Sequence, residues 1–100
     1  MDTDSVRQHA QAHADAVVRG DMDAVTADFV PELRPQLPEL AKGLPQPTTS
    51  AEVLSFEDAG DHTSVEIRYS GTQDAVTIRS RWEEREGEGR PLIAEATPIS

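Results

Sequence analysis

The hydrophobic positions along the chain change period once, near Ser50. Before that point they recur at helical spacing. Val6, Ala10, Ala14 and Val17 fall on one face at about 100° per residue, with Arg7, Gln11, Asp15 and Arg19 opposite. This predicts an amphipathic helix over residues 3–19 with a seam of small side chains. Thr3, Asp4 or Ser5 can accept hydrogen bonds from the free N–H groups of its first turn, and Gly20 offers a left-handed exit. Asp21 reads as the N-cap of a short second helix, residues 21–29, in which Met22, Val25 and Phe29 share a face and which Pro31 ends. In "PELRPQLPELAKGLPQP" the leucines 33, 37, 40 and 44 predict a third helix over residues 35–43. Pro35 fits N1, where a missing N–H costs nothing, and Gly43 is the stop. "LPQPTTS" reads as an extended connector.

After Ser50 the period falls to two. Leu54 and Phe56, then Val65, Ile67 and Tyr69, then Val76, Ile78 and Trp82 alternate with polar residues. The pattern predicts strands over residues 51–57, 63–70 and 75–84, with a fourth over 91–99. The turn signals "EDAGDH", "SGTQD" and "REGEGR" separate them by short loops, so consecutive strands should pair as antiparallel hairpins. The expected architecture is α+β, with N-terminal helices packed on one face of a curved four-stranded antiparallel sheet. One domain accommodates all 100 residues.

Composition narrows the function classes. A formal net charge of −10, with arginines interspersed among glutamates, excludes a basic face for nucleic acid. The absence of cysteine excludes disulfides, iron–sulfur clusters, thiolate zinc sites and thiol catalysis. The opening "MDTDSVRQHA" lacks the basic and apolar parts of a leader, and no window reaches the roughly 18 apolar residues of a membrane span. A cytoplasmic protein that meets no membrane is expected. The abundance of Ala, Arg, Gly and Pro beside one lysine is the bias of GC-rich bacterial coding.

The stretch "HAQAHADAVVRGDMDAVTADFVPE", followed by "VEIRYSG", "VTIRSRWEE" and "GRPLIAEATPI", resembles the nuclear-transport-factor-2-like superfamily, which includes ketosteroid-isomerase-like and polyketide-cyclase-like proteins. The resemblance implies a cystatin-like cone fold, a pocket between helices and sheet, and a tendency to dimerise through the sheet. This chain is shorter than typical members, and a proline-broken helix stands where many have a strand-loop unit. No catalytic motif of the superfamily matches residue by residue, so no reaction is carried over.

Candidate chemistry begins at "HAQAH". His9 and His13 stand one helical turn apart, the spacing with which zinc metalloproteases grip their metal, but Ala10 occupies the place of the water-activating glutamate. The remaining histidine, His62, falls in a predicted turn. No metal site and no cofactor are expected. His13 lies inside the apolar seam and should face the sheet, with His9 at its border. There it is either a partly buried imidazole bonded to a backbone carbonyl or a side chain, or a polar group in a cone pocket that binds or deprotonates a ligand. Tyr69 and Trp82 lie on the inner phase of their strands, where they either fill the core or line a ligand pocket with His13.

The opposite sheet face carries Glu66, Arg68, Thr77, Arg79, Arg81, Glu83, Glu95 and Thr97. It reads either as a solvated ladder or as a two-fold dimer interface built on Arg68, Arg79 and Arg81. Asp21, Asp23 and Asp28 lack the glycine and final glutamate of a calcium loop and read as capping and solubility. The leading functional expectation is a small non-catalytic module for binding an apolar ligand or for self-association. The alternative is a cofactor-free isomerase or cyclase with His13 as general base and Tyr69 as oxyanion donor. A third reading is an acidic partner-binding protein.

Overall fold

The first helix, α1 (Thr3–Arg19), buries Val6, Ala10 and Ala14 completely. Side chains no larger than valine let its axis lie close to the sheet, chiefly over β1 (Ser50–Asp58) and β2 (Thr63–Ser70). Arg7 stacks its guanidinium 4.6 Å from the ring centre of Phe56 on β1. The computed structural model describes residues 3–45 and 47–99, apart from the side chain of Thr3. The cap offered to Thr3 and the Gln46 position of the connector therefore lie outside the described residues.

Asp21 caps α2 (Met22–Ala27) by accepting from the Ala24 N–H at 3.2 Å. That helix stops earlier than its pattern predicts. Asp28 is its C-cap, and the next residues run extended along the edge of β4 (Pro91–Pro98). The Ile93 N–H donates to the Asp28 carbonyl at 2.7 Å, and the Val30 N–H donates to the Ile93 carbonyl at 3.0 Å. These bonds form a parallel bridge between Phe29 and Ile93 that the hydrophobic spacing does not reveal. An open strand edge competes for the backbone and ends the helix before Pro31 can.

The expected third helix is two pieces, a 3₁₀ helix (Pro31–Gln36) and α3 (Leu37–Ala41). Pro35 and Pro38 supply no N–H, so an α-helical ladder cannot run through both. The chain takes i→i+3 bonds first, with the Leu33 N–H on the Val30 carbonyl at 3.0 Å. Pro38 then falls in the first turn of α3, the place assigned above to Pro35 one helix too early.

The four strands form one antiparallel sheet in chain order, β1–β2–β3–β4, with β3 at Ala75–Glu84. Helices and sheet share a core of Val25, Phe29, Val65, Ile67, Trp82 and Ile93 with the α1 seam. Two register shifts interrupt the ladders. On β1, Val53 faces Ile67 and Ser55 faces Glu66, leaving Leu54 unpaired; on β4, Ala94 is passed over in the same way. Such bulges bend and twist the strand, and they reset its phase. Leu54 is consequently 46% exposed, whereas strict alternation with Phe56 places it inside.

Candidate functional site

Between the C-terminal half of α1, the short helices and the inner face of the sheet lies a cavity of about 400 Å³. Its wall is largely aliphatic, with Val17, Leu37, Leu40, Ile67, Ile93 and Ala96 among the contributors. The volume falls within the roughly 300–1,000 Å³ of small-molecule sites. Into this apolar wall the fold sets a few polar side chains, among them the buried His13, Tyr69 and Ser80.

His13 projects from α1 and is 5% exposed. Its Nδ1 lies 2.9 Å from Oδ2 of Asp28, which is equally buried. The other carboxylate oxygen accepts from the Arg90 guanidinium. A carboxylate with Arg90 on one oxygen has only acceptors to offer, so His13 Nδ1 carries the hydrogen of that bond. The imidazole is held edge-on between Phe29, with ring centres 5.8 Å apart, and Trp82, at 5.9 Å. Its rotamer is thus fixed by two rings and one hydrogen bond.

Each member of this relay is placed by backbone. The hydrogen bond from Ile93 to the Asp28 carbonyl pins the end of α2 to β4. Arg90 closes the β3–β4 turn, whose Gly87 and Gly89 take positive φ and let the chain double back. At the other end of that turn Arg85 grips Glu32 of the 3₁₀ helix and Glu83. Hydrogen bonding to Arg85 draws the Glu32 carboxyl below its ordinary range. Two arginines therefore strap one turn to the corner that carries Asp28.

Tyr69, from β2, is 3% exposed and contributes to the cavity wall. Burial, reinforced by the negative charge of Asp28, pushes its phenol well above the ordinary range. It remains an O–H donor at any physiological pH. Trp82 is different. It is completely buried in the core, the first of the two places expected of it, and is not among the residues that line the cavity. The indole N–H donates to Ser80 Oγ at 3.0 Å, and that hydroxyl donates to the Val65 carbonyl at 3.2 Å. Ser80 lines the cavity with its proton already committed, and Trp82 serves as the backing of His13.

His9 is not brought to the site. Its Nδ1 lies 2.8 Å from the Ser5 carbonyl one turn back, and His62 pairs with Asp61 beyond the end of β1. Among the described residues no three metal-binding side chains converge. On the outer sheet face Arg79 meets Glu66 at 3.2 Å, and Arg81 reaches Glu83 at 3.8 Å and Glu95 at 3.6 Å. Arg68 is exposed there between Glu52 and Thr77 in register.

Asp28 and Arg90 are the residues that sequence reasoning misses. Asp28 is not the solubilising surface acid expected of it. A signal was available: it stands three residues after Val25, on the inward phase of α2. For Arg90 no local pattern exists, because the contact spans 62 residues.

The cavity mouth depends on a close approach. A Cβ placed on Gly71 would stand 2.7 Å from Cβ of Pro45 and 2.9 Å from the Pro47 carbonyl oxygen. Pro45 and Pro47 border the cavity. Gly71→Ala should therefore push the connector outward at a cost of about 1–3 kcal/mol. A lowered urea midpoint with amide shifts at Thr48 and Thr49 is the expected result; an unchanged midpoint would show that the connector gives way freely.

Among solved structures, an NTF-2 like protein of unknown function from Burkholderia xenovorans LB400 superposes with a TM-score of 0.66, at 21% identity, over 97% of this chain and 83% of the other. The fold is nuclear-transport-factor-2-like. A second structure, RPA3114, a SEC-C motif containing protein from Rhodopseudomonas palustris, superposes with a TM-score of 0.60 at 19% identity. It covers 86% of this chain and 72% of its own. No family model matches this chain, and no curated protein matches it in sequence. No described helix is long and apolar enough to cross a membrane.

Proposed function

We propose that this NTF2-like chain is a cytoplasmic binding protein for a small apolar molecule, which it holds between helices and sheet. The carrying observation is the cavity of about 400 Å³ with an aliphatic wall and an oriented imidazole. Titration with methylnaphthalene, followed by amide NMR, tests it. Shifts at Val17, Ile67 and Ala96 are expected. They should vanish in Ala41→Trp, which fills the cavity from α3 while far-ultraviolet circular dichroism stays unchanged. Binding that survives the filled cavity would place the ligand elsewhere.

A second reading, proton transfer by His13 with Tyr69 as donor, draws support from the hydrogen bond to Asp28 that fixes the imidazole in the cavity wall. It uses the same cavity and adds to binding a ligand with an acidic C–H. Exchange of that hydrogen for deuterium, lost in His13→Gln, is its signature.

We further propose that two copies associate through the outer sheet face. Its charges are already matched within one protomer, Arg79 by Glu66 and Arg81 by Glu83 and Glu95, so stacking buries a neutralised ladder and its long apolar stems. Repulsion between chains of net charge −10 is screened beyond about 8 Å at physiological salt. Arg79→Glu with Arg81→Glu should yield a folded monomer by sedimentation. Wild type that is monomeric at high concentration would end this assignment.

A further inference from the structure

We infer that Gly71 sets the size limit of the cavity: its missing side chain lets the connector close on the end of β2, and the width left there decides how broad an occupant can be. This rests on the pocket reading above and concerns which molecules the pocket turns away.

Gly71 is not a glycine of the usual turn kind. Gly87 and Gly89 take positive φ, and a Cβ on either would meet nothing within 4 Å. They serve backbone conformation. The φ of Gly71 lies outside the left-handed region, so conformation does not call for glycine there, yet its Cβ would stand 2.7 Å from Cβ of Pro45 and 2.9 Å from the Pro47 carbonyl oxygen. The glycine serves contact.

Neither of the two atoms can rotate aside, because a proline Cβ is fixed in its ring and a carbonyl oxygen belongs to the main chain. The segment is also tied to itself, since the Thr48 hydroxyl donates to the Pro45 carbonyl at 2.8 Å. Displaced, it moves as one piece. Its far end is held, because the Thr49 N–H donates to the Ser70 carbonyl at 2.7 Å and β1 begins at the next residue. Gly71 directly follows β2, so a connector that hinges at Thr49 and lifts from Gly71 draws away from that strand. Pro45, Pro47 and Thr48 form one part of the cavity wall, and β2 brings Ile67 and Tyr69 to another. The gap between these parts is what the contact at Gly71 fixes. An occupant too broad for it must displace two prolines from a close-packed seat or stay in the mouth.

Methylnaphthalene and methylpyrene share their chemistry and differ in breadth. Both are titrated into wild type and Gly71→Ala and followed by the amide shifts of Val17, Ile67 and Ala96. The affinity for methylpyrene relative to methylnaphthalene should rise about tenfold in Gly71→Ala, the worth of relieving a modest overpacking strain. A general loosening of the fold would weaken both ligands together and leave that ratio where it was. Pro45→Ala, which trims the same wall without crowding Gly71, should raise the ratio too, and it decides where Gly71→Ala is unstable. A ratio unchanged in the folded variants would overturn the size role and leave the pocket standing. Failure of both ligands to shift the wall residues of wild type would overturn both readings.

Discussion

Asp28→Ala should lower the melting temperature by roughly 10–25 °C, following a loss of about 2–4 kcal/mol in a domain of this size. The carboxylate satisfies two groups at once, and its removal strands both. His13 would keep a buried N–H without an acceptor, and Arg90, whose Nε already lacks a partner, would keep a charge with nothing opposite. The Arg90 side chain is 36% exposed, which is why the expected loss sits below that of a fully enclosed pair. Asp28→Asn retains an acceptor for His13 and should cost less. Nitrogen-15 shifts of the imidazole separate a structural from an orienting role. Wild type should show hydrogen on Nδ1, whereas Asp28→Ala should show a mixture of tautomers. An unaltered ring spectrum would mean that the aromatic contacts alone orient His13.

Trp82→Ala should be more damaging still. The indole is the largest wholly buried side chain, and truncations of this kind cost about 3–5 kcal/mol. Against a total stability of about 5–15 kcal/mol, that leaves little for a domain with so few aromatics. It also removes the backing of His13 and frees Ser80 Oγ to look for another donor. Urea denaturation followed by circular dichroism is the appropriate measurement, because the variant has no tryptophan to report by fluorescence. Trp82→Phe, which keeps most of the packing and loses only the N–H, should retain the fold. Equal stability of the alanine variant and wild type would contradict the core assignment.

How much of this was legible beforehand depends on the range of the interaction responsible. The seam Val6, Ala10, Ala14 and the strands β2 and β3 follow from neighbours three, four or two residues apart, and the structure matches the expected pattern there. The cap at Asp21 is equally local. Leu54 defeats the period because a bulge is a property of two strands together. The end of α2 defeats it because β4, more than 60 residues later, draws the backbone away. At the site, the inward position of His13 could be read from the wheel, yet its partner could not, since the pair exists only after the β3–β4 turn has folded over the corner.

The open sheet has two free margins, and each is blunted differently. At β1 the bulge at Leu54 breaks the straight row of N–H and C=O groups that an incoming strand would need, and Glu52, Glu57 and Asp58 add repulsion against a copy of itself. At β4 the bridge at Phe29 occupies part of the row, and Pro91 and Pro98 withhold N–H groups at its two ends. Growth into a continuous ribbon of stacked molecules is therefore discouraged on both sides. Fibril formation, which needs such a row left open, is disfavoured from the outset.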